Sequence, residues 1–272
     1  MQEKAPLYTV ITGASKGLGK ELAIACARRS KNLILISLPM EGLQELANEL
    51  STDYGIQTVA LEVDLSSENG IENLCSKIEE HYAIDTLINN AGIGGTRPFE
   101  QSSESYLVNI LRLNVQALVL MTHRLLPLLK KSPKAYILNI SSMAAFGAMP
   151  FKTVYPASKA FVYSFSRGLQ EELKDFNISV SVAHPGGMAT CPENAQRMAS
   201  HNILVRSAFM DPAEVAEKCI SKMLRRDKVI LPGLWNKIHR LFFLLCPESL
   251  RLSIFSRQIK KEMKIKPQTA GH

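Results

Sequence analysis

Residues 7–19 read Leu7-Tyr8-Thr9-Val10-Ile11-Thr12 and then Gly13-Ala14-Ser15-Lys16-Gly17-Leu18-Gly19, and an amphipathic segment follows at once. An apolar run of strand length, a turn with three glycines and a helix make the opening of a βα unit. Glycine permits φ > 0 and close backbone approach, and the unpaired N–H groups at a helix start favour a pyrophosphate. Alone, such a turn is weak evidence, and a plain tight turn is the bland alternative. With a strand before it and a helix after it, dinucleotide binding is the better reading.

Working outward, apolar runs alternate with longer amphipathic segments, which is the pattern of a parallel sheet covered on both faces. Strands are expected near 7–12, 33–37, 57–63, 85–89, 135–141, 178–184 and 227–231, and helices near 17–29, 41–51, 67–82, 103–131, 154–176 and 211–225. The fold class is therefore α/β: one doubly wound parallel sheet of about seven strands, with ligand residues gathered at the strand C-termini. Residues 1–232 form the expected catalytic domain. Within it, 187–210 is long for a connection and reads as a lid. The helix after the lid is marked by Asp211 as N-cap, Pro212 at its first position and Glu214 three residues after the cap. Residues 233–272 form a basic, amphipathic, helical C-terminal extension.

The chain has 272 residues, 46% of them hydrophobic and 21% charged, which excludes disordered, collagen-like and disulfide-scaffold classes. The five cysteines, Cys26, Cys75, Cys191, Cys219 and Cys246, show no C-x-x-C spacing, so neither a zinc site nor a disulfide framework is indicated. A reducing, cytoplasmic compartment is the default, and the N-terminus shows no signal-peptide layout. The longest uncharged stretch, Ala135 to Phe151, is 17 residues and too polar to span a bilayer, so no transmembrane helix is expected. Most of the formal charge of +7 sits in the tail, where eight Lys/Arg meet two Glu.

The spacing Thr12-Gly13-x-x-x-Gly17-x-Gly19 resembles that of the short-chain dehydrogenase/reductase family, in its short subtype with a Rossmann-type sheet. Asp64-Leu65 is similar to the family's adenine-contacting pair, Asn89-Asn90-Ala91-Gly92 to its Asn-Asn-Ala-Gly signature, and Pro185-Gly186 with Thr190 to the segment that borders the nicotinamide. The resemblance implies a cofactor site made of Thr12, Gly13, Ser15, Lys16, Gly17, Leu18, Gly19, Ser37, Asp64, Leu65, Asn90, Ala91, Gly92, Tyr155, Lys159, Pro185, Gly186 and Thr190.

NAD-dependent relatives commonly carry an acid after the second strand, and a 2′-phosphate wants a positive or hydroxyl-bearing partner. Here that strand ends Ile36-Ser37-Leu38-Pro39. Ser37 would not repel a phosphate, and Lys16 stands where NADP-using members often place a base, although Leu38 replaces their arginine. NADP(H) is the preferred expectation and NAD(H) stays open. A solvated loop charge is nearly as good a reading of Lys16.

Tyr155-Pro156-Ala157-Ser158-Lys159 is a Tyr-x-x-x-Lys pair on one helix face. A tyrosine with a pKa of about 10 needs a nearby ammonium to act as a base near neutrality, and Lys159 can supply it. Pro156 disfavours helical geometry before it, so Tyr155 is expected at the helix mouth. Ser142 lies thirteen residues upstream, the family's spacing for its catalytic serine, and Ser141 is left a structural or substrate-lining role. Asn114, a polar amide among apolar neighbours, reads either as a satisfied core asparagine or, by the resemblance, as the member whose main-chain carbonyl holds a relay water. Asn114, Ser142, Tyr155 and Lys159 then form the family's catalytic set, with Tyr155 as general acid or base for hydride transfer between a carbonyl and an alcohol. No metal is needed.

Met143, Phe146 and Met149 after the serine, and Met188 near the lid, are expected to line a site for a hydrophobic ketone or secondary alcohol of acyl, steroid-like or other lipid-like type. Two short amphipathic helices broken by Pro247 are expected in the tail. Their interleaved apolar and basic residues suit peripheral membrane contact, or packing on the body or a partner subunit. Nucleic acid is not an expected partner, because the basic residues lack a recognisable module. The family commonly forms dimers or tetramers, so a homodimer or homotetramer is implied. An NAD-dependent alcohol dehydrogenase and a non-catalytic cofactor-sensing or scaffold member are the alternative readings.

Overall fold

The computed structural model describes residues 5–188 and 209–265. Seven strands form one sheet: β1 (Leu7–Thr12), β2 (Asn32–Ser37), β3 (Thr58–Glu62), β4 (Ala83–Asn89), β5 (Ala135–Ile140), β6 (Ile178–Ala183) and β7 (Val229–Ile230). Their order is β3-β2-β1-β4-β5-β6-β7, and every neighbouring pair is parallel. The order reverses between β1 and β4, so a crevice opens at the strand C-termini beside the glycine turn.

Helices cover both faces. Helices α1 (Gly17–Ala27) and α2 (Leu43–Tyr54), with α7 (Pro212–Leu224), bury Leu22, Leu46, Ile220 and Met223 against Ile11, Leu33, Leu35 and Leu138. On the other face α3 (Glu68–His81), α5 (Ala117–Lys131) and α6 (Val154–Glu172) cover Val10, Ile34, Leu87 and Ile137. The strands are buried on both sides, which is why they read as apolar runs rather than as alternating patterns. Each fully buried Leu or Ile contributes about 1.5–3 kcal/mol.

The long helix expected over 103–131 is not continuous. It comprises α4 (Glu104–Leu111), a wide π turn over Arg112–Gln116, and α5. Asn114 sits in the π turn and is 1% exposed. Among the described residues, 104–131 is also the one helical run long and apolar enough to cross a membrane by length and composition. It is packed here as a cover layer on β4 and α3. Asp211 does stand at the N-cap of α7 with Pro212 after it, but its carboxylate makes no capping bond.

The tail forms α8 (Leu234–Leu245) and α9 (Glu248–Ile265), with Pro247 between them. Phe243 of α8 and Phe255 of α9 stack with ring centroids 5.5 Å apart. The Phe243 ring also lies over Gly147, where an added Cβ would be 2.7 Å from it. The extension is thereby fastened to the segment that follows Ser142.

Candidate active site

At the β1–α1 turn, Gly13 and Gly17 adopt φ of +65° and +56°, a region costly for residues with a Cβ. A Cβ at Gly19 would stand 1.8 Å from the Gly13 carbonyl oxygen, so only glycine lets helix and turn close up. Lys16 is the N-cap of α1 without a side-chain capping bond, and no acid occupies the first turn. Backbone N–H groups and the positive end of the helix dipole are therefore left for an anion, and the turn fits a pyrophosphate.

Thr12 and Asn90 hold this turn against the end of β4. The Thr12 hydroxyl accepts the Asn90 and Ala91 N–H groups at 2.9 and 3.0 Å, and the Asn90 amide donates to the Thr12 and Gly13 carbonyls at 2.9 and 3.1 Å. Leu18 and Leu65 are buried. The Asp64 carboxylate accepts the Ser66 N–H at 2.8 Å, and the Ser37 hydroxyl donates to the Leu38 carbonyl at 3.0 Å. Ser15 and Lys16 both engage Glu41, at 2.5 Å each.

The second cluster is built on β5 and α6. Ser142 follows β5 and caps a short turn, Met143–Phe146, accepting the Ala144 N–H at 3.1 Å. Tyr155 is the second residue of α6, near the helix mouth as Pro156 implied, and the Ser142 hydroxyl stands close enough to its phenol to oppose the effect of burial on it. One turn on, Lys159 is 5% exposed and its ammonium donates to the Ile140 carbonyl at 3.0 Å. Asn114 closes the set: its amide donates to the Ile93 carbonyl at 2.9 Å and to the Ser158 hydroxyl at 3.0 Å, and its Oδ1 accepts the Ile93 N–H at 2.8 Å. A Cβ at Gly92 would lie 3.0 Å from Asn114 Oδ1 and 3.2 Å from Lys159 Nζ, so the glycine signature is the floor beneath both.

Of its two expected roles, Ser141 takes the structural one. Ser141 does not line a substrate pocket: it is 2% exposed, and its hydroxyl donates to the Lys159 carbonyl at 2.7 Å, which is the structural alternative. Burial raises the Tyr155 hydroxyl, with the Ser142 hydroxyl opposing, and the Lys159 ammonium lies 5.9 Å from the ring centroid while donating to the Ile140 carbonyl. Burial likewise lowers Lys159 to about 8.

Of the expected lining residues, Met143 is buried and Phe146 packs on His184 and Tyr163 at centroid distances of 4.5 and 5.6 Å. Met149 is half-buried, and Met188 pairs with Met210 beside the core. Pro185 contributes its carbonyl to the Met143 N–H at 3.0 Å, with Gly186 next to it. Thr190, and the lid from 189 to 208, lie outside the described residues.

The contributions of five residues were not legible in the sequence. Gly94 lets the Tyr155 ring lie against the backbone, since a Cβ there would be 2.8 Å from it. Ser158 links Asn114 to the Tyr155 carbonyl, to which it donates at 2.7 Å. Asn89 and Asn139, register partners on β4 and β5, are bonded at 2.8 Å, and Asn139 donates to Ser166 at 2.9 Å, bracing the strands beneath the site. His184 contacts the Ser142 carbonyl through Nδ1 at 3.0 Å, and burial lowers it to about 4, so it is neutral and donates. Polar residues at the ends of otherwise apolar strands were the available signal. Among the described residues no group of three or more His, Cys, Asp or Glu could hold a metal.

A profile of the short chain dehydrogenase family matches residues 8–200, and the chain belongs to this family. It is similar to the very-long-chain 3-oxoacyl-CoA reductase-A of Danio rerio, 34% identical over 197 residues, covering 70% of this chain and 60% of the relative. It is also 34% identical over 187 residues to the 17-beta-hydroxysteroid dehydrogenase type 3 of Mus musculus, covering 67% of this chain and 60% of that one. The chain thus spans little more than half the length of these relatives. Among solved structures, a short-chain dehydrogenase from Sphingobium yanoikuyae in complex with NADPH superposes with a TM-score of 0.75 and 27% identity, covering 98% of each chain.

Below its lowered pKa the buried ammonium of Lys159 carries a desolvation cost in the folded state that the unfolded chain avoids. That cost is present in full below about pH 8 and disappears as the pH rises toward the ordinary lysine value of about 10.4. Lys159→Met is expected to leave the thermal midpoint at pH 7 unchanged or higher, to flatten its rise between pH 8 and 10, and to remove turnover. A midpoint that drops by more than about 5 °C would show that the ammonium stabilises the fold instead.

Proposed function

We propose that the chain is an NADP(H)-dependent oxidoreductase acting on a hydrophobic ketone or secondary alcohol. The observation that carries this is the juxtaposition of Tyr155 and Ser142 beside the buried Lys159, at the sheet edge next to a glycine turn shaped for a pyrophosphate. When bound, the nicotinamide would supply or accept a hydride. The α1 N-terminus with Gly13, Gly17 and Gly19 would hold its pyrophosphate, and Tyr155 and Lys159 its ribose.

In reduction, the Tyr155 hydroxyl gives its proton to the substrate carbonyl oxygen; in oxidation it takes the proton back. The phenol is protonated at neutral pH, as a proton donor to the carbonyl oxygen must be, and burial raises its pKa further. Ser142 hydrogen-bonds the same oxygen where negative charge develops. His184 fixes the Ser142 backbone, and Asn114 and Ser158 fix the first turn of α6 relative to Ile93. The Lys159 ammonium places a positive charge behind the phenol. The similarity to a very-long-chain 3-oxoacyl-CoA reductase and a hydroxysteroid dehydrogenase supports a long or lipid-like substrate.

Two assembly features belong to the same proposal. The outward sides of 104–131 and α6 carry exposed Leu111 and Phe161, suited to a homodimer or homotetramer. On α8, Leu234, Ile238, Leu241, Phe242 and Leu245 form one exposed apolar stripe within a strongly basic tail, which suits contact with an anionic membrane surface.

With NADPH, reduction of 3-oxoacyl thioesters or steroid ketones should be measurable by absorbance and should fall by a factor of about 10²–10⁴ in Tyr155→Phe, with coenzyme binding retained. Turnover that survives in this variant would sink the assignment of Tyr155. In flotation with phosphatidylserine vesicles, the intact protein should rise with lipid and a Leu241→Glu/Leu245→Glu variant should not. Equal recovery of both would remove the membrane contact.

A further inference from the structure

Helix α8 turns a cation inward. Asn236, Arg240 and Phe243 follow one another at helical spacing, and Asn236 and Phe243 are buried, whereas Leu234, Ile238, Leu241 and Leu245 are exposed. Arg240 is half-buried with the inner set, and its guanidinium lies 5.1 Å from the centroid of Phe146. On the same ring packs His184, with 4.5 Å between centroids, and Tyr163 meets that imidazole edge-on at 5.0 Å. The imidazole is thus held by two aromatic rings, with the guanidinium close enough for its charge to be felt there. Among the described residues, neither Arg240 Nε nor His184 Nε2 has a hydrogen-bond partner, although both atoms are out of water.

Which nitrogen of His184 carries the proton matters to the serine. Nδ1 stands 3.0 Å from the Ser142 carbonyl and bonds it only when Nδ1 is protonated, and a neutral imidazole then presents a bare lone pair at Nε2. The other neutral tautomer sets the Nδ1 lone pair against the carbonyl oxygen and releases the backbone from which the Ser142 hydroxyl projects. A buried lone pair without a donor is costly, and a cation beside the ring lowers that cost. Burial, and after it the Arg240 charge, also opposes a second proton on the ring and holds His184 down to about 4.

We propose that Arg240 is a positioning residue of the active site: its charge selects the Nδ1–H tautomer of His184 and, through that imidazole, fixes the backbone of Ser142. The proposal rests on the oxidoreductase reading above and adds to it a residue of the C-terminal extension. Arg240 acts on the rate without touching substrate or coenzyme, by keeping the serine hydroxyl aligned with the carbonyl oxygen as negative charge develops there.

The test combines long-range proton–nitrogen NMR of the full-length protein, labelled with nitrogen-15 histidine, with NADPH-dependent reduction of a hydrophobic ketone. The His184 signals are identified by their loss in His184→Asn. In wild type at neutral pH the ring proton should sit on Nδ1. In Arg240→Met it should move toward Nε2, and kcat should fall by about 10- to 100-fold while NADPH binding, read by fluorescence, is retained. Arg240→Lys, which keeps the charge but not the guanidinium plane on Phe146, should keep the tautomer and most of the rate. In His184→Asn, whose amide donates to a carbonyl with no tautomer to choose, adding Arg240→Met should lower kcat by no more than about twofold. An Nδ1–H signal that is absent in wild type or unchanged in folded Arg240→Met, or equal losses in Arg240→Lys and Arg240→Met, overturns the proposal. Arg240→Gln is held to the same outcomes if Arg240→Met does not fold. Wild type that reduces no hydrophobic ketone overturns the oxidoreductase reading, while the tautomer, which needs no substrate, still decides whether Arg240 governs His184.

Discussion

The arrangement depends on one buried cation. Lys159 is removed from water without a carboxylate partner, which is expensive for an ammonium unless its protons are taken up by nearby polar groups. The Ile140 carbonyl at the end of β5 takes one of them, and that is possible because Ser141 ties the Lys159 carbonyl to the same strand end. Gly92 leaves space for the ammonium and for Asn114, and Gly94 leaves space for the ring of Tyr155. The strand ends β4 and β5 and the first turn of α6 are thereby locked together around a charge. A phenol, a serine hydroxyl and a cation then stand together at the C-terminal edge of the sheet.

Much of this was readable from residue order. Apolar runs buried on both faces announced the strands, and α1 and α6 began where the glycines and Pro156 placed them. The π turn was not readable, because Arg112–Gln116 looks like the middle of an ordinary amphipathic helix. The turn widens around Asn114, whose amide is bonded to a loop, Ile93, and a second helix, Ser158. Ser141 and Ser142 carry the same side chain, and strand alternation alone decides which faces Lys159's backbone and which faces Tyr155. Glu41 escaped notice because its partners lie 25 and 26 residues away. The raised Tyr155 hydroxyl depends on burial, which spacing does not reveal.

The C-terminal extension is coupled to the same centre. The Arg240 guanidinium lies 5.1 Å from the centroid of Phe146, Phe146 lies against His184, and His184 donates to the Ser142 carbonyl. Arg251 adds a bond to the Phe243 carbonyl and a longer one, at 3.5 Å, to the Phe146 carbonyl. What α8 and α9 meet on their outer side is therefore connected by direct contacts to the position of the serine hydroxyl. A hydrophobic substrate arriving from a lipid surface would come to the side of the molecule that supports this serine.

The central claim is that these side chains serve direct hydride transfer to a carbonyl carbon. It is tested most directly with NADPH deuterated at the transferable nicotinamide C4 position and a hydrophobic 3-oxoacyl thioester, reading the product by mass spectrometry. One deuterium on the new carbinol carbon is the predicted result. Formation of the alcohol without deuterium at that carbon, or no alcohol from any hydrophobic ketone despite coenzyme binding, would contradict the account.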